Sequence, residues 1–433
     1  MEFRSISTES AGLDRVWPLR HVRDEPLRFL QTLAARGDVV PFTIGRRKAF
    51  LLCHPTDIEQ VLVSDYDRFA KGPAFARAKR LLGDGLLTAE GDVHRRLRQI
   101  VQPAFHRAPM HRYGELMVLR AAELRDQWRT SPTVDLTREM QRLTLAIVVK
   151  ALFGEEFDDR QADEVRSAIA AIASQDPLVS LLAPFRRTGP ERKGLQSIVR
   201  ALVERRVRSG QNGDDLLGLL LATDRTGPTS AKQLQDDVLT MLVAGHDTIA
   251  NALTWTWLLL AGHPQVEDTL HRELSDVLGG RLPTSSDLEY LTYTRAVLAE
   301  CLRLFPAAWI VTRVALQDCE LDTATIPAGS LVAMSQYLVH RDARFFDEPL
   351  RFDPTRWMPP RRGSRPKLAY FPFGAGPRSC IGEGFAWMEG MLSLAVLAQH
   401  WRVRPTASEG VVTETGVTLR PKPPVLARLE PRR

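Results

Sequence analysis

The segment FPFGAGPRSCIG places Cys380 two residues after Arg378 and directly before a predicted helix. The thiolate is the form of cysteine that binds metals, and the positive end of a helix favours this form. Gly374, Gly376 and Gly382 let the backbone approach a bulky, flat group, because they have no side chain that would collide with it. Arg378 can pair with an anionic substituent of such a group. The segment therefore predicts a loop that holds a bulky, flat, anionic group, with the cysteine sulfur as a metal ligand.

Without these neighbours, a cysteine is more often a small buried hydrophobic residue than a ligand. The chain contains 4 cysteines and no CxxC pair. This pattern argues against a disulfide scaffold and a structural zinc site, and it fits a reducing, cytoplasmic compartment. A thiol-nucleophile hydrolase is a distant alternative for Cys380, because no residue pattern near it offers a base.

A second chemical pattern lies in DVLTMLVAGHDTIANALTWTWLLLAG, residues 237–262. The run is apolar on nearly every side, which in a soluble protein indicates a helix through the core. A membrane-spanning helix would instead carry Asp247 near its middle, at a cost of about 3 kcal/mol. Gly245, Asp247 and Thr248 are poor residues for a helix interior, and local conflicts of this kind are typical of functional sites. We predict a local kink with a polar groove.

The chain of 433 residues, 44% of them hydrophobic, is long enough to bury a large core. The stretch VVPFTIGRRKAFLLCHP predicts a β-hairpin. Helical patterns dominate from about residue 55 to residue 306, and strand patterns return over residues 312–316 and 330–334. No repeat, low-complexity tract or linker marks a boundary. Residues 1–433 are therefore expected to form one mostly helical domain with small β-sheets near both ends.

The net charge of the chain is +6. No basic stripe interleaved with aromatic residues, helix-turn-helix or RNA-binding signature accompanies it, which argues against a nucleic-acid partner. The basic surface is either simply solvated or docks an acidic partner. Residues 1–23 show neither the apolar core of a signal peptide nor a membrane anchor. We expect a soluble, cytoplasmic protein with no membrane span.

Phe373, Gly376, Arg378, Cys380 and Gly382 match every fixed position of the signature FxxGxRxCxG. On these residues the chain resembles the cytochrome P-450 haem-thiolate monooxygenases of the soluble bacterial type. The resemblance implies haem b (heme b, iron protoporphyrin IX) as the cofactor and Cys380 as its iron ligand; thiolate coordination favours cleavage of the O–O bond. It also implies the cytochrome P-450 fold, a mostly α-helical body around a long central helix, with β-rich regions near both ends.

The Glu-x-x-Arg pair Glu300 and Arg303 lies well before the cysteine loop. Its spacing places both side chains on one helix face. The same spacing occurs at Glu348 and Arg351, so position rather than spacing singles out the first pair. The resemblance implies that Glu300, Arg303 and Arg356, the last from the segment RFDPTRW, form a buried structural network.

The core helix contains Ala244, Gly245, Asp247 and Thr248, which match the family segment AGx[DE]T. The resemblance implies that Asp247 and Thr248 are catalytic, because a carboxyl and a hydroxyl group in a dry site can relay protons during the activation of dioxygen. His94 and Arg98 stand four residues apart on one predicted helix face, and the resemblance implies that both reach haem propionates. The full cofactor-binding set implied by the resemblance is His94, Arg98, Ala244, Arg313, Phe373, Gly374, Arg378, Cys380 and Gly382.

Substrate contacts in the family come from five separate windows of the chain, and here these windows are mainly apolar. A largely hydrophobic small molecule is therefore expected, such as a terpenoid, fatty acid, steroid or macrolide. The residues that the resemblance assigns to substrate binding are Phe75, Leu81, Leu178, Leu181, Phe185, Val243, Ala307, Ala308, Trp309, Ile310 and Val417.

The activity implied is insertion of one oxygen atom of O2 into an unactivated C–H bond. The chain has no room for a reductase domain, so electrons are expected from NAD(P)H through a separate ferredoxin or flavodoxin with its reductase. Two alternatives stay open: a peroxide-driven peroxygenase on the same fold, and a non-enzymatic haem-thiolate sensor or carrier. The presence of both Asp247 and Thr248 argues against both alternatives.

Overall fold

Helices form most of the protein, as the sequence predicts. The structure, a computed structural model, describes residues 25–45, 47–173, 189–210, 213–224, 231–363, 365–406 and 411–432. The α-helices in these ranges are α1 Pro26–Ala34, α2 Pro55–Glu59, α3 Pro73–Leu82, α4 Gly91–Val101, α5 Arg107–Gln127, α6 Leu136–Phe153, α7 Asp159–Ala173, α8 Gly189–Ser209, α9 Leu216–Asp224, α10 Ala231–Gly262, α11 Pro264–Leu278, α12 Thr292–Leu304, α13 Gln336–Val339 and α14 Glu383–Ala398.

The longest of these helices, α10, runs without interruption and ends at Gly262, where the sequence predicts a stop. It packs along α6 and also contacts α12 and α14. Helix α6 starts after Asp135, whose carboxylate accepts a hydrogen bond of 3.1 Å from the backbone N–H of Thr137. It ends at Gly154, which has a left-handed φ of 67°. These two helices form the centre of the helical body.

Gly245 is explained by packing rather than by a break in the helix. A Cβ atom at this position would lie 3.2 Å from a methyl group of Val148 on α6, closer than side chains normally pack. On the next residue, His246 Nδ1 lies 2.9 Å from Thr144 Oγ1. Burial lowers the pKa of His246 to about 3, so the imidazole is neutral. The predicted kink is thus replaced by a close helix crossing.

Four small sheets complete the fold. The strands are β1 Val39–Ile44, β2 Arg47–Leu52, β3 Phe69–Lys71, β4 Thr133–Asp135, β5 Val311–Ala315, β6 Cys319–Glu320, β7 Thr325–Ile326, β8 Leu331–Met334, β9 Trp401–Pro405, β10 Thr413–Thr415, β11 Leu419–Pro421 and β12 Leu426–Pro431. The largest sheet has the order β1-β2-β8-β5-β3, and β2 pairs with β8 in parallel.

The predicted hairpin is confirmed as β1 and β2, and the two predicted later strands are β5 and β8. Strands β3 and β4 lie inside the stretch predicted to be helical. Each has only three residues, which is too short for a periodic signal. No helix in the described ranges has both the length and the apolar run needed to span a bilayer.

The last strand joins distant parts of the chain into one core. β12 pairs with both β4 and β9. Beside it, the Trp128 ring stacks edge-on against Trp257 of α10 and against Trp401 of β9, with ring centroids 6.3 and 6.4 Å apart. Trp128, and behind it Trp401, therefore pack beside the C-terminal half of the central helix.

Candidate functional site

The cysteine loop is a tight turn that precedes α14. The Cys380 N–H donates to the Phe373 carbonyl over 2.9 Å, and the Gly374 N–H donates to the Phe371 carbonyl over 2.9 Å. Gly376 has a φ of 68°, and a Cβ atom there would lie 2.1 Å from the Leu62 carbonyl oxygen. Only glycine fits this position, because it combines a left-handed φ with a backbone contact that cannot give way. The loop thus rests directly on the chain after α2.

The thiol of Cys380 is accessible, whereas the other three cysteines are buried. Protein nevertheless surrounds the sulfur on most sides, and this burial raises the pKa of the Cys380 thiol. The Gly382 backbone N–H and the charge of Arg98 act in the opposite direction but do not outweigh burial. The sequence predicts that the helix end and nearby backbone N–H groups favour the thiolate; burial has the larger effect on this pKa. A bound metal ion deprotonates a coordinating thiol.

Arg378 and Arg98 tie the cysteine loop to the first third of the chain. Arg378 Nη1 donates to the carbonyl of Phe69 over 2.7 Å, and its Nη2 lies 2.9 Å from Glu90 Oε2. Arg98 Nη1 donates to the Ser379 carbonyl over 2.7 Å. Arg98 and Arg378 belong to the predicted cofactor-binding set, and both therefore lie next to the segment that leads to Cys380.

The same region contains two further cations that interact with Glu90. Burial, and to a smaller extent the charge of Arg378, lowers the pKa of Arg313 to about 10. Burial also lowers the pKa of Lys71 to about 8, although Glu90 opposes this shift. The Lys71 ammonium donates to the carbonyls of Leu87 and Ala89, at 2.7 and 2.6 Å. Neither Lys71 nor Glu90 has a motif around it that would have identified it.

His94 is buried among these cations. Burial first, then Lys71 and Arg378, lowers the pKa of His94 to about 4. At neutral pH the imidazole is therefore uncharged. It can form hydrogen bonds but adds no positive charge to the surrounding cations. In the described region, Lys71, Arg98, Arg313 and Arg378 lie close to His94. The carboxylate of Glu90 interacts with Lys71, Arg313 and Arg378. Buried charges of one sign need partners, and the two propionates of haem would supply two further negative charges.

The middle of α10 is open on one side. Ala244 is exposed and Val243, Gly245 and Thr248 are half-buried, although the helix is buried along most of its length. The Thr248 hydroxyl donates to the Ala244 carbonyl over 3.0 Å. A small exposed alanine beside a hydroxyl group in a core helix indicates a wall of a cavity. The polar groove predicted from the sequence stays a prediction, for which the half-buried Thr248 is a candidate lining residue.

Asp247 is turned away from Thr248. Its Oδ2 atom accepts hydrogen bonds from Thr418 Oγ1 at 2.7 Å and from Asn251 Nδ2 at 3.0 Å. Its Oδ1 atom is buried and has no hydrogen-bond partner among the described residues. Burial raises the pKa of Asp247; the hydrogen bond from Thr418, the charge of Arg420 and the hydrogen bond from Asn251 oppose this. Thr418 and Asn251 carry no sequence signal for this contact.

Glu300 forms the buried network that the sequence predicts. Arg303 donates to both of its carboxylate oxygens, from Nε and Nη2, each over 2.8 Å. Arg356 Nε donates to Oε1 over 3.0 Å, and the Trp357 indole donates to Oε2 over 2.9 Å. The backbone N–H of Asp353 adds a fifth hydrogen bond of 3.0 Å. Every side chain of the ion-pair network is almost fully buried and paired, which is the arrangement in which buried charges are tolerated.

The comparison with known families decides the assignment. The family model described as Cytochrome P450 matches residues 13–428. The chain belongs to the cytochrome P-450 family. Membership implies the haem cofactor that the cysteine loop and the four cations fit.

Several relatives of this cytochrome P-450 are named for a specific compound. It is 38% identical to Cyclooctatin synthase of Streptomyces melanosporofaciens, over 92% of this chain and 88% of that protein. It is 36% identical to Cyclooctat-9-en-7-ol 5-monooxygenase of the same organism, over 88% and 85%. It is 33% identical to Pentalenene oxygenase of Streptomyces avermitilis, over 87% of each chain. The chain is thus a bacterial-type haem-thiolate monooxygenase.

The predicted substrate residues differ in their exposure in this cytochrome P-450. Val243 and Ile310 are half-buried, as is Phe75 on α3, while Ala308 and Val417 are exposed. Ala307 is buried, and its carbonyl accepts from the Leu419 N–H over 2.9 Å. The backbone of Leu81 lies in α3, but its side chain is outside the described part. The remaining three predictions lie outside the described residues: Leu178, Leu181 and Phe185.

Trp309 is part of the packed core. Its side chain is fully buried and packs in an apolar cluster with Phe29 and Leu33 of α1. Its indole N–H donates to the Gly416 carbonyl over 2.9 Å. The ring therefore supports the C-terminal hairpin, and its contact with substrate stays a prediction. A tryptophan in an apolar window does not show from sequence alone which way its ring points.

The start of α10 holds the loop that follows α3. Asp236 accepts from the Asp84 backbone N–H over 3.1 Å, and Gln233 Nε2 donates to the Asp84 carbonyl over 2.9 Å. A Cβ atom on Gly83 would lie 2.0 Å from the Asp236 carboxyl carbon. The neighbouring Asp237 is fully buried; burial raises its pKa to about 7, which the hydrogen bond from Gln233 opposes.

Asp237→Asn should become more stable relative to the parent protein as the pH rises. A carboxyl group whose pKa is raised in the folded state stabilises that state below the pKa of the unfolded chain, and this contribution is lost as the pH rises through about 7. Between pH 4 and pH 8, the free energy of unfolding of Asp237→Asn relative to the parent should rise by on the order of 3 kcal/mol. Urea unfolding at both pH values measures this, and Asp276→Asn, at an exposed position of α11, should show no such change. An equal response of the two variants would contradict the expectation.

Proposed function

We propose that this monooxygenase hydroxylates an unactivated C–H bond of a cyclic terpenoid. Support comes from the relatives, whose names specify cyclooctatin, cyclooctat-9-en-7-ol and pentalenene as the compounds made or oxidised. The apolar character of Phe75, Val243, Ile310 and Val417 supports a substrate bound by shape and hydrophobic contact rather than by charge.

Different residues of the chain have different proposed roles around the cofactor. Bound haem supplies reductive activation of dioxygen, and thiolate coordination by Cys380 favours O–O cleavage. Lys71, Arg98, Arg313 and Arg378 pair with the propionates, since each is in or beside the buried cationic cluster. The apolar residues exclude water and orient the substrate.

On α10, the small side chain of Ala244 leaves room next to the Thr248 hydroxyl. Thr248 holds a proton at Oγ1 and Asp247 holds one on its carboxyl group, which burial keeps neutral over a wider pH range than in water. A proton passed towards the dioxygen side is replaced from solvent. These two residues are therefore proposed as the proton-delivery pair.

A binding screen tests the substrate class. The haem-loaded protein is titrated with cyclic diterpene and sesquiterpene hydrocarbons and alcohols, and in parallel with fatty acids, steroids and macrolides. A compound that binds beside the haem would change its Soret absorption, so a binding isotherm is read directly. We expect saturable shifts with terpenoids only. Tight binding of a fatty acid or steroid with no response to any terpenoid would refute the proposed class.

Thr248→Ala should separate electron consumption from product formation. Loss of the hydroxyl removes a proton carrier, so NAD(P)H consumption continues, peroxide is released, and product formed per NAD(P)H falls about tenfold or more. Thr248→Ser keeps the hydroxyl and should retain most of the coupling. Both ratios are measured by quantifying NAD(P)H, peroxide and product in the same reaction. A fully coupled Thr248→Ala enzyme would exclude the proposed role.

Electrons are proposed to come from NAD(P)H through a ferredoxin or flavodoxin with its reductase, in the cytoplasm. The basic net charge of +6 and the exposed Arg95 and Arg96 on α4, the helix that also bears His94, suit an acidic carrier. Turnover supported by peroxide alone, at a rate equal to that with the reductase system, would instead favour the peroxygenase alternative.

A further inference from the structure

A hydrogen-bonded triangle links the middle of α10 to the C-terminal hairpin. Thr418 Oγ1 lies 2.7 Å from Asp247 Oδ2 and 3.2 Å from Asn251 Nδ2, and Asn251 Nδ2 lies 3.0 Å from the same carboxyl oxygen. All three residues are buried. The contact joins residues 171 positions apart in the sequence. A buried threonine thus approaches the carboxyl group that the family pattern places beside Thr248.

The hairpin that presents Thr418 is held firmly in place. Strands β10 and β11 pair in antiparallel fashion, and across them Arg420 Nη2 lies 2.7 Å from Glu414 Oε2. The Trp309 indole N–H donates to the Gly416 carbonyl, and the Leu419 N–H donates to the Ala307 carbonyl. The tip is therefore bound on both sides to the segment after α12. Its geometry is fixed by contacts other than the one to Asp247.

Two donors on one oxygen decide which carboxyl oxygen can hold a proton. Oδ2 of Asp247 accepts from both Thr418 and Asn251, and a protonated oxygen would compete with these donors. Oδ1 is buried and has no partner among the described residues. The proton of the neutral acid therefore belongs on Oδ1, the oxygen left free to donate. After this proton leaves, the negative charge is stabilised by the same two donors and by Arg420.

We propose that Thr418 is a positioning residue for proton delivery, because its hydroxyl fixes Oδ2 of Asp247 as the acceptor and leaves the transferable proton on Oδ1. The inference rests on the relay role proposed for Asp247. In each cycle the O–H bond at Oδ1 breaks, the proton moves towards the dioxygen side, and a proton from water restores the acid. Thr418 itself neither gains nor loses a proton.

The first test reads the carboxyl group rather than activity. Infrared difference spectra identify the C=O stretching band of protonated Asp247 as the band missing in Asp247→Asn. Thr418→Val removes the hydroxyl while keeping the shape, so the band should move to higher frequency; Thr418→Ser should leave it in place. Thr254→Val is the matched control, since Thr254 is a buried threonine on the same helix that bonds to the Ala250 carbonyl. The Asp247 band should be unshifted in Thr254→Val.

The second test measures coupling in the same variants. We expect product per NAD(P)H to fall about fivefold in Thr418→Val, the equivalent of one lost hydrogen bond. Thr418→Ser and Thr254→Val should stay near the parent value. Thr418→Ala, which cannot clash with its neighbours, replaces Thr418→Val if the latter does not fold with full haem content.

The outcomes separate the two proposals. If Asp247→Asn uncouples the enzyme but the band and the coupling of Thr418→Val and Thr418→Ala match the parent, the positioning role is refuted and the relay stands. If Asp247→Asn remains fully coupled, the relay is refuted, and the delivery role of Thr418 is refuted with it. The inference is supported if Thr418→Val shifts the Asp247 band and forms about fivefold less product per NAD(P)H, while Thr418→Ser matches the parent in both measurements.

Discussion

Cys380→Ala should yield a protein that retains its secondary structure but shows no thiolate-ligated haem and no monooxygenase activity. The sulfur is the one accessible thiol among the cysteines, and no neighbouring described side chain can replace it as a soft, anionic ligand. The reduced protein with carbon monoxide should lack the red-shifted Soret band of thiolate-bound haem. Activity should fall below detection.

Cys319→Ala is the matched control for this experiment. Cys319 is fully buried in an apolar cluster, where its thiol contacts the Gln317 carbonyl over 3.4 Å. Its replacement removes a sulfur atom without touching the cysteine loop, so the carbon monoxide spectrum should be unchanged. A normal spectrum in Cys380→Ala, or loss of the band in both variants, would contradict the assignment of Cys380.

Glu300→Gln should destabilise the protein by about 3–5 kcal/mol, because it leaves two buried guanidinium groups without their shared anion. The carboxylate accepts from Arg303 and Arg356 as well as from Trp357 and the Asp353 backbone. An amide can accept at one atom only, so at least one donor becomes unpaired. Urea denaturation followed by circular dichroism measures the loss as a lower midpoint.

Glu348→Gln provides a control with the same sequence spacing. Glu348 and Arg351 also stand three residues apart and form an ion pair of 2.8 Å, but both side chains are exposed, at 69% and 62%. Exposed pairs contribute little, so the change in the free energy of unfolding should stay within about 0.5 kcal/mol. Equal destabilisation by the two substitutions would show that burial is not the reason for the effect of Glu300→Gln.

A short-range motif explains why the cysteine loop could be predicted. Cys380, Arg378 and the glycines lie within a few residues of each other, so local spacing displays their chemistry. Glu300 and Arg303 share one helix face, but their position before the loop and the family resemblance singled them out, because Glu348 and Arg351 have the same spacing. Local sequence also predicts the long helix around Asp247, whose apolar run shows its burial.

Contacts between distant segments could not be predicted in the same way. Arg378 meets Glu90 across 288 positions, and Asp247 meets Thr418 across 171. No local pattern marks Glu90 or Thr418 as members of the site. The pKa of Cys380 is a related case, because the burial that raises it comes from the packed protein and outweighs the end of α14.

The way Gly376 rests on the Leu62 carbonyl, with Arg378 bonded to Phe69, has a consequence for biosynthesis. These contacts join residues more than 300 positions apart. Leu62 and Phe69 therefore cannot contact the cysteine loop until residues 376–378 have left the ribosome. We therefore expect haem to bind only after the cysteine loop has been synthesised, and chains truncated before this loop to lack haem.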